Sequence, residues 1–309
     1  MRRWSVSDQR RQSIIKPKRL SPGETIGVVA PAGRVEPADL HRGVLRLEQL
    51  GFKVIVGRHV EKRHRYLAGK DPDRAADLRS MFENRDVRAV LCARGGSGAA
   101  RLLRFLDRNR LEPKIFLGCS DVTTLLLYFS RILGWVTFHG PMVATQFGKG
   151  PNQAMDENFM KVLGGEALEM SFPGVRTLRP GQAEGILTGG CLTLICTTIG
   201  TPYEIETEDK ILFIEDIDEA PYRIDRMLSY LKGLGKFDHV RGVVFGQMPR
   251  CQPELLPEII MEIFDELPVP VLFGFPSGHG DSLATLPFGL PVRIDGMTGS
   301  LRMLEPAVL

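Results

Sequence analysis

Pro113-Lys114-Ile115-Phe116-Leu117-Gly118-Cys119-Ser120-Asp121 is the stretch on which the reading of this chain turns. A short apolar run of strand character meets a turn of small residues, with one serine at the bend. Asp121-Val122-Thr123-Thr124-Leu125-Leu126-Leu127-Tyr128 then reads as the first turns of a helix. A serine on such a bend is held out of the core, with the N–H groups of the helix start beside its hydroxyl. Those N–H groups and the helix dipole favour negative charge nearby. This is the arrangement of a serine nucleophile next to an oxyanion hole. A plain helix cap at Ser120 or Asp121 fits the same residues, so the surrounding chain has to decide.

Upstream, Thr25-Ile26-Gly27-Val28-Val29-Ala30 is a buried-strand run that ends in the loop Pro31-Ala32-Gly33. Residues 37–50 place apolar side chains at helical spacing and stop at Gly51, a C-cap signal. Further strands are expected at 52–56 and 87–92, and further helices at 71–84 and 98–107. Strands alternating with helices of this length argue for right-handed βαβ units and a parallel sheet. Functional residues then belong beyond the carboxyl ends of the strands. Pro31-Ala32-Gly33, Arg94-Gly95-Gly96-Ser97-Gly98 and the Ser120 bend all occupy such positions.

Downstream of Met160 the texture changes. Residues 164–182 are rich in Gly and Pro with little periodicity, and read as a linker. Beyond them strands dominate, at 185–187, 211–214, 242–245, 270–273 and 291–294, with helices near 191–199, 220–231 and 253–264. The expected organisation is a basic, disordered extension over 1–20, a nucleophile-bearing domain over 21–163, the linker over 164–182, and a second domain over 183–309. The fold class is α/β: an N-terminal three-layer domain with a parallel sheet, then a mixed, strand-rich C-terminal domain.

Composition narrows the functional classes. The first 19 residues carry seven basic side chains against Asp8, a net of +6, while the whole chain is only +3. The folded body is therefore slightly acidic and offers no basic face to nucleic acid. No apolar stretch approaches the roughly 18–20 residues that span a bilayer, and no apolar core follows the N-terminal basic residues as in a secretory signal. Cys92, Cys119, Cys191, Cys196 and Cys251 are odd in number and form no CxxC pair, which suits reduced thiols in the cytoplasm. Metal-ligand spacing is absent, so no metal is expected. The glycine loop at 94–98 has neither dinucleotide nor P-loop spacing, so no cofactor is expected. Its glycines still let backbone N–H groups approach an anion or oxyanion, although a tight strand-to-helix turn needs no such role.

Two more segments carry chemistry. Ile211-Leu212-Phe213-Ile214-Glu215-Asp216 ends an apolar strand in two carboxylates, well placed to orient a histidine. The same acids fit the start of a helix. Pro276-Ser277-Gly278-His279-Gly280-Asp281 sets a histidine between glycines beyond another strand, and an imidazole suits proton transfer near neutrality. Loop histidines are also common on plain surfaces.

Together these segments resemble the LD-carboxypeptidases, the muramoyltetrapeptide carboxypeptidase family of serine peptidases. The similarity runs through Val28-Val29-Ala30-Pro31-Ala32-Gly33, Ala93-Arg94-Gly95-Gly96-Ser97-Gly98, Leu117-Gly118-Cys119-Ser120-Asp121 and His139-Gly140-Pro141-Met142. It continues through Gly189-Gly190-Cys191-Leu192, Phe213-Ile214-Glu215-Asp216, Pro221-Tyr222-Arg223-Ile224-Asp225 and Gly278-His279-Gly280-Asp281. Only the first twenty or so residues fall outside it.

The resemblance implies Ser120 as nucleophile, His279 as general base and Glu215 as the residue orienting it. It implies an oxyanion hole from backbone N–H groups of Asp121, Gly95 and Gly96. Strand alternation puts Glu215 and Asp216 on opposite faces, so only one can meet His279. Arg94, Ser97 and Cys191 are candidate substrate contacts. Ser97, Cys119 and Cys191 stand where the family often has tyrosine, tyrosine and asparagine. The implied activity is release of C-terminal D-alanine from cytoplasmic murein tetrapeptide in peptidoglycan recycling, by a homodimer that binds no nucleic acid and inserts into no membrane. The alternatives are a microcin C immunity-type peptidase cleaving a peptide-nucleotide conjugate, and a non-catalytic anion-binding α/β protein.

Overall fold

A computed structural model describes residues 14–281 and 283–309. The first sheet is built from β1 (Thr25–Val29), β2 (Lys53–Val56), β3 (Val87–Cys92), β4 (Ile115–Gly118) and β5 (Thr137–His139). All five run parallel, in the order β5-β4-β3-β1-β2. Helices α1 (Pro37–Gln49), α2 (Asp71–Glu83) and α3 (Thr123–Leu133) connect them. Continuous apolar runs such as Ile115-Phe116-Leu117 are buried, as strands covered on both faces require. Phe82, Phe116, Phe129 and Trp135 pack in a cluster with ring centroids 4.9–5.9 Å apart. The segment expected as a helix at 98–107 is a tighter 3₁₀ stretch, Ala99–Phe105.

Helix α4 (Gln153–Gly164) leads to the second sheet. Its strands are β6 (Glu169–Ser171), β7 (Arg176–Arg179), β8 (Gln182–Cys191), β9 (Lys210–Glu215), β10 (Gly242–Gln247) and β11 (Val271–Gly278), with two more from the end of the chain. The Leu286–Phe288 strand, β12, does not join them. It leaves the second half and pairs antiparallel with β5 at the edge of the first sheet. β13 (Pro291–Asp295) and β14 (Ser300–Met303) return, giving the order β6-β14-β13-β8-β9-β10-β11-β7. The centre, β8 to β11, is parallel and the flanks are antiparallel. Helices α5 (Leu192–Thr198), α6 (Pro221–Gly233) and α7 (Leu256–Ile263) cover this sheet.

Two expectations change in detail. The 164–182 stretch contributes β6 and β7, edge strands of three and four residues. Its Gly and Pro residues hide the alternation because so few positions are paired. Of the expected disordered extension over 1–20, residues 1–13 lie outside the described residues, whereas the next few are pinned to the body. Ile15 bridges to Trp135, the Leu20 N–H donates to Leu163 O, and Lys16 pairs with Glu305 at 3.1 Å. Two buried apolar residues in this short run, Leu20 among them, outweigh its basic character. One apolar cluster spans both sheets, from Ile26 and Phe116 to Phe213, Leu272 and Val292.

Candidate active site

β4 delivers the serine. Cys119 is extended, and Ser120 then takes a left-handed φ of 63°. That conformation costs a non-glycine residue about 1–2 kcal/mol. It turns the chain straight into the 3₁₀ turn Ser120–Val122 and on into α3. Local strain of this kind persists where the surroundings hold it, and it clusters at functional positions. The side chain of Ser120 is half-buried at the carboxyl end of the parallel sheet.

The loop after β3 packs directly on that serine. A Cβ on Gly95 would lie 2.5 Å from Ser120 Cβ and 2.8 Å from its Oγ, so only glycine fits. Gly96 has φ 120°, which aims the loop backbone as few other residues allow. Gly33 N–H donates to Gly95 O at 2.9 Å, tying the loop after β1 to the loop after β3. Asp121 joins the third loop to them: its Oδ2 accepts from Ala99 N–H at 2.7 Å. Burial pushes the Asp121 carboxyl up, against the Ala99 N–H and the Arg74 guanidinium, which pull it down. The three loops picked out in the sequence therefore meet at one place.

The second sheet supplies an acid and a base. β9 ends at Glu215, fully buried, and β11 runs out into His279. His279 Nδ1 lies 2.5 Å from Glu215 Oε2. Burial alone would raise the Glu215 carboxyl, but the imidazoles of His279 and His139 outweigh it and hold the value at about 2. Burial likewise opposes charge on His279, and Glu215, Asp216 and Asp218 overcome it, raising the ring above its ordinary pKa. Asp216 turns the other way, accepting from the Thr193 N–H and hydroxyl, each at 2.9 Å, and from Ile217 N–H at 2.8 Å. Among the described residues no hydrogen bond joins Ser120 Oγ to the His279 ring. Catalytic contacts of this kind tighten when substrate binds.

His279 opens into a cavity of about 320 Å³ that it shares with Arg94, Arg42, Lys149 and Gln146. Arg94 is exposed and donates to Arg34 O at 3.0 Å, and Ser97 is exposed in the same loop. Cys191 is different. It is buried, its Sγ faces Asp216 Oδ1 at 3.6 Å, and its N–H donates to Thr123 Oγ1 across the join between the halves. Neither Ser97 nor Cys191 lines the cavity. Burial and the nearby Glu215 push the Cys119 and Cys191 thiols well up. All five cysteines are free.

His139 was singled out in the sequence only as part of His139-Gly140-Pro141-Met142, with no role attached. It reaches Glu215 from β5, and its signal is the Gly-Pro turn just past a strand end. Among the described residues no group of three or more metal-ligating side chains is placed to hold an ion, and no helix is long and apolar enough to cross a membrane.

Residues 26–140 match the LD-carboxypeptidase N-terminal domain, and residues 184–294 match the LD-carboxypeptidase C-terminal domain. A probable murein peptide carboxypeptidase of Bacillus subtilis is 41% identical over 286 residues, covering 89% of each chain. The murein tetrapeptide carboxypeptidase of Pseudomonas aeruginosa is 32% identical, covering 88% of this chain and 93% of its own. The solved structure of the microcin C7 self-immunity protein MccF superposes with a TM-score of 0.89 at 27% identity, over 95% of this chain and 99% of that one. The microcin C7 self-immunity protein MccF of Escherichia coli is 30% identical over 319 residues, covering 89% of this chain and 92% of its own. With both halves matched and the whole two-sheet architecture shared, the chain belongs to the LD-carboxypeptidase family of serine-type peptidases.

Proposed function

We propose that this enzyme hydrolyses the amide between an L-centre and a C-terminal D-alanine in murein tetrapeptide, in the cytoplasm, during peptidoglycan recycling. Ser120 Oγ attacks the scissile carbonyl while His279 Nε2 takes its proton. Glu215 holds the ring through Nδ1, which fixes the tautomer and stabilises the imidazolium. Backbone N–H groups of Asp121, Gly95 and Gly96 receive the oxyanion. His279 then gives its proton to the departing D-alanine amine, and water resolves the acyl-enzyme by the same steps. Arg94, which lines the cavity with His279, is the candidate partner for the substrate carboxylate.

The observation that carries this reading is the pairing of buried Glu215 with part-buried His279, 2.5 Å apart, on the half of the chain that does not carry the strained serine. The murein carboxypeptidases among its relatives support the choice of substrate. Incubation with murein tetrapeptide should release free D-alanine, and Ser120→Ala should abolish the release. Absence of D-alanine from the native enzyme refutes the substrate assignment.

The likeness to MccF favours a second reading, cleavage of an aminoacyl-nucleotide conjugate, since MccF has been solved with glutamyl sulfamoyl guanosine at a TM-score of 0.89. Incubation with that compound, read as release of free glutamate, separates the two. A homodimer is part of the proposal, and light scattering on the eluted protein tests it.

A further inference from the structure

Glu215 has two oxygens, and the triad uses one of them. Oε2 faces His279, while Oε1 is fully buried with no hydrogen-bond partner among the described residues. The atom nearest in charge and kind is Nε2 of His139, also buried, also unpartnered, 3.6 Å away. Leaving two buried polar atoms without partners costs stability at each. Facing each other, they are complementary.

The His139 ring is fixed from every side. It has no exposure, and it stacks obliquely against Phe213 and Phe288, with centroids 5.1 and 5.7 Å away. Its Nδ1 lies 3.2 Å from Ser277 Oγ, and that hydroxyl is also 2.9 Å from Ala284 O. The hydroxyl has one hydrogen to give. Given to Nδ1, it leaves the neutral ring's one hydrogen on Nε2; given to Ala284 O, it lets Nδ1–H donate to the hydroxyl and leaves Nε2 bare. The first arrangement points an N–H at Glu215 and gives both buried atoms a partner.

The topology gives this contact its meaning. Glu215 and His279 come from the second sheet, whereas His139 ends β5 of the first sheet, the one that carries Ser120. His139 also lies opposite Leu286 of β12, a few residues beyond His279. We propose that His139 is a positioning residue for the reaction: it holds Glu215 Oε1 from the nucleophile's sheet, so that Oε2 is presented to His279 and acid, base and serine keep one register. This rests on the catalytic reading of Ser120, Glu215 and His279 given above.

The test compares His139→Phe, which fits between two phenylalanines but donates nothing, with His139→Gln, whose amide can still donate to Oε1. The substrate is murein tetrapeptide with D-alanine release as readout, beside Ser120→Ala and His279→Ala controls. His139→Phe should lower kcat about 10–100-fold, the scale of loss when a catalytic group is left slightly misplaced, with KM within about twofold. His139→Gln should recover most of the rate.

The acidic limb of kcat/KM should also move. The charged and titratable groups facing His279 are Glu215, Asp216 and Asp218, with Asp39, Arg42, Arg94 and Lys149 around the shared cavity, and Glu215 is in turn faced by His139, Asp216, Cys119 and Cys191. Without the His139 donor, the charge of Glu215 falls wholly on His279 and strengthens its hold on a proton. The limb therefore moves to higher pH in His139→Phe, a shift that mere loosening of the fold does not produce. Ser277→Ala, which removes the Nδ1 partner together with the hydroxyl's bond to Ala284 O, should move it the same way by less, and serves if His139→Phe does not fold.

Full kcat and an unmoved limb in a folded His139→Phe or Ser277→Ala overturn the proposal. If His279→Ala instead keeps its rate, the triad reading itself fails, and the two failures are distinct.

Discussion

Gly95 stands against Ser120 so closely that a methyl group there would lie 2.5 Å from the serine Cβ. The backbone around Ser120 is already held at φ 63°, so it has little room to give. Gly95→Ala should cost about 1–3 kcal/mol by overpacking and lower kcat at least about 100-fold by displacing the hydroxyl. Gly164→Ala, where nothing lies within 4 Å of the added carbon, is the matched control and should change neither. Thermal melts and initial rates read both effects, and a Gly95→Ala enzyme with native kcat contradicts the packing argument.

The triad should behave as a unit. Ser120→Ala and His279→Ala should each lower kcat by roughly 10⁴-fold or more, and the double variant by little beyond the worse single. Glu215→Gln should be milder, since it spares the nucleophile and the base. Multiplicative losses in the double variant would mean that the serine and the histidine act in separate steps.

The pH dependence follows from the signs at His279 and Glu215. In the proposed role of base, His279 must be neutral to accept a proton, and its pKa is raised. The acidic limb of kcat/KM should therefore lie above the ordinary imidazole value of about 6.5. For stability, Glu215 is lowered to about 2, so its contribution is complete above the usual carboxylate range and is lost as pH falls towards that value. The contribution of His279 is complete below about 6.5 and is lost as pH rises through its raised value. Denaturant titrations across pH should show both slopes in the native enzyme, and Glu215→Gln should flatten them.

Arg94 opens onto the same cavity as His279, and its guanidinium donates to Arg34 O at 3.0 Å. Arg94→Ala should raise KM about tenfold or more for a substrate with a free terminal carboxylate. An amidated substrate should lose correspondingly little. Equal losses on both substrates assign Arg94 to the loop's structure instead of to recognition.

Much of the site was legible because each of its pieces is local. The Ser120 bend announces itself through an apolar strand, small residues and a helix start within a dozen positions. The glycines of the 94–98 loop and those flanking His279 do the same. What joins the pieces is not local: Glu215 and His279 lie 64 residues apart, and their pairing came from family resemblance. The contact of His139 with Glu215 depends on two sheets meeting, and no periodicity encodes that. β12 escaped notice for a related reason. Leu286-Pro287-Phe288 is three residues long and becomes a strand only because β5 lies open beside it. The strict helix expected at 98–107 tightened to a 3₁₀ stretch because Asp121 and Arg74 hold its first turn from outside.

The crossing of β12 limits how this enzyme can be dissected. A fragment comprising the first sheet alone would bare the edge of β5, an apolar row of unpaired amides next to a histidine stripped of its acid. Open edges of that kind recruit other chains, so such a fragment should aggregate instead of folding into a soluble half. Restoring activity by mixing separately produced halves is then a poor prospect unless the edge strand travels with the first piece, and the base would have to travel with it.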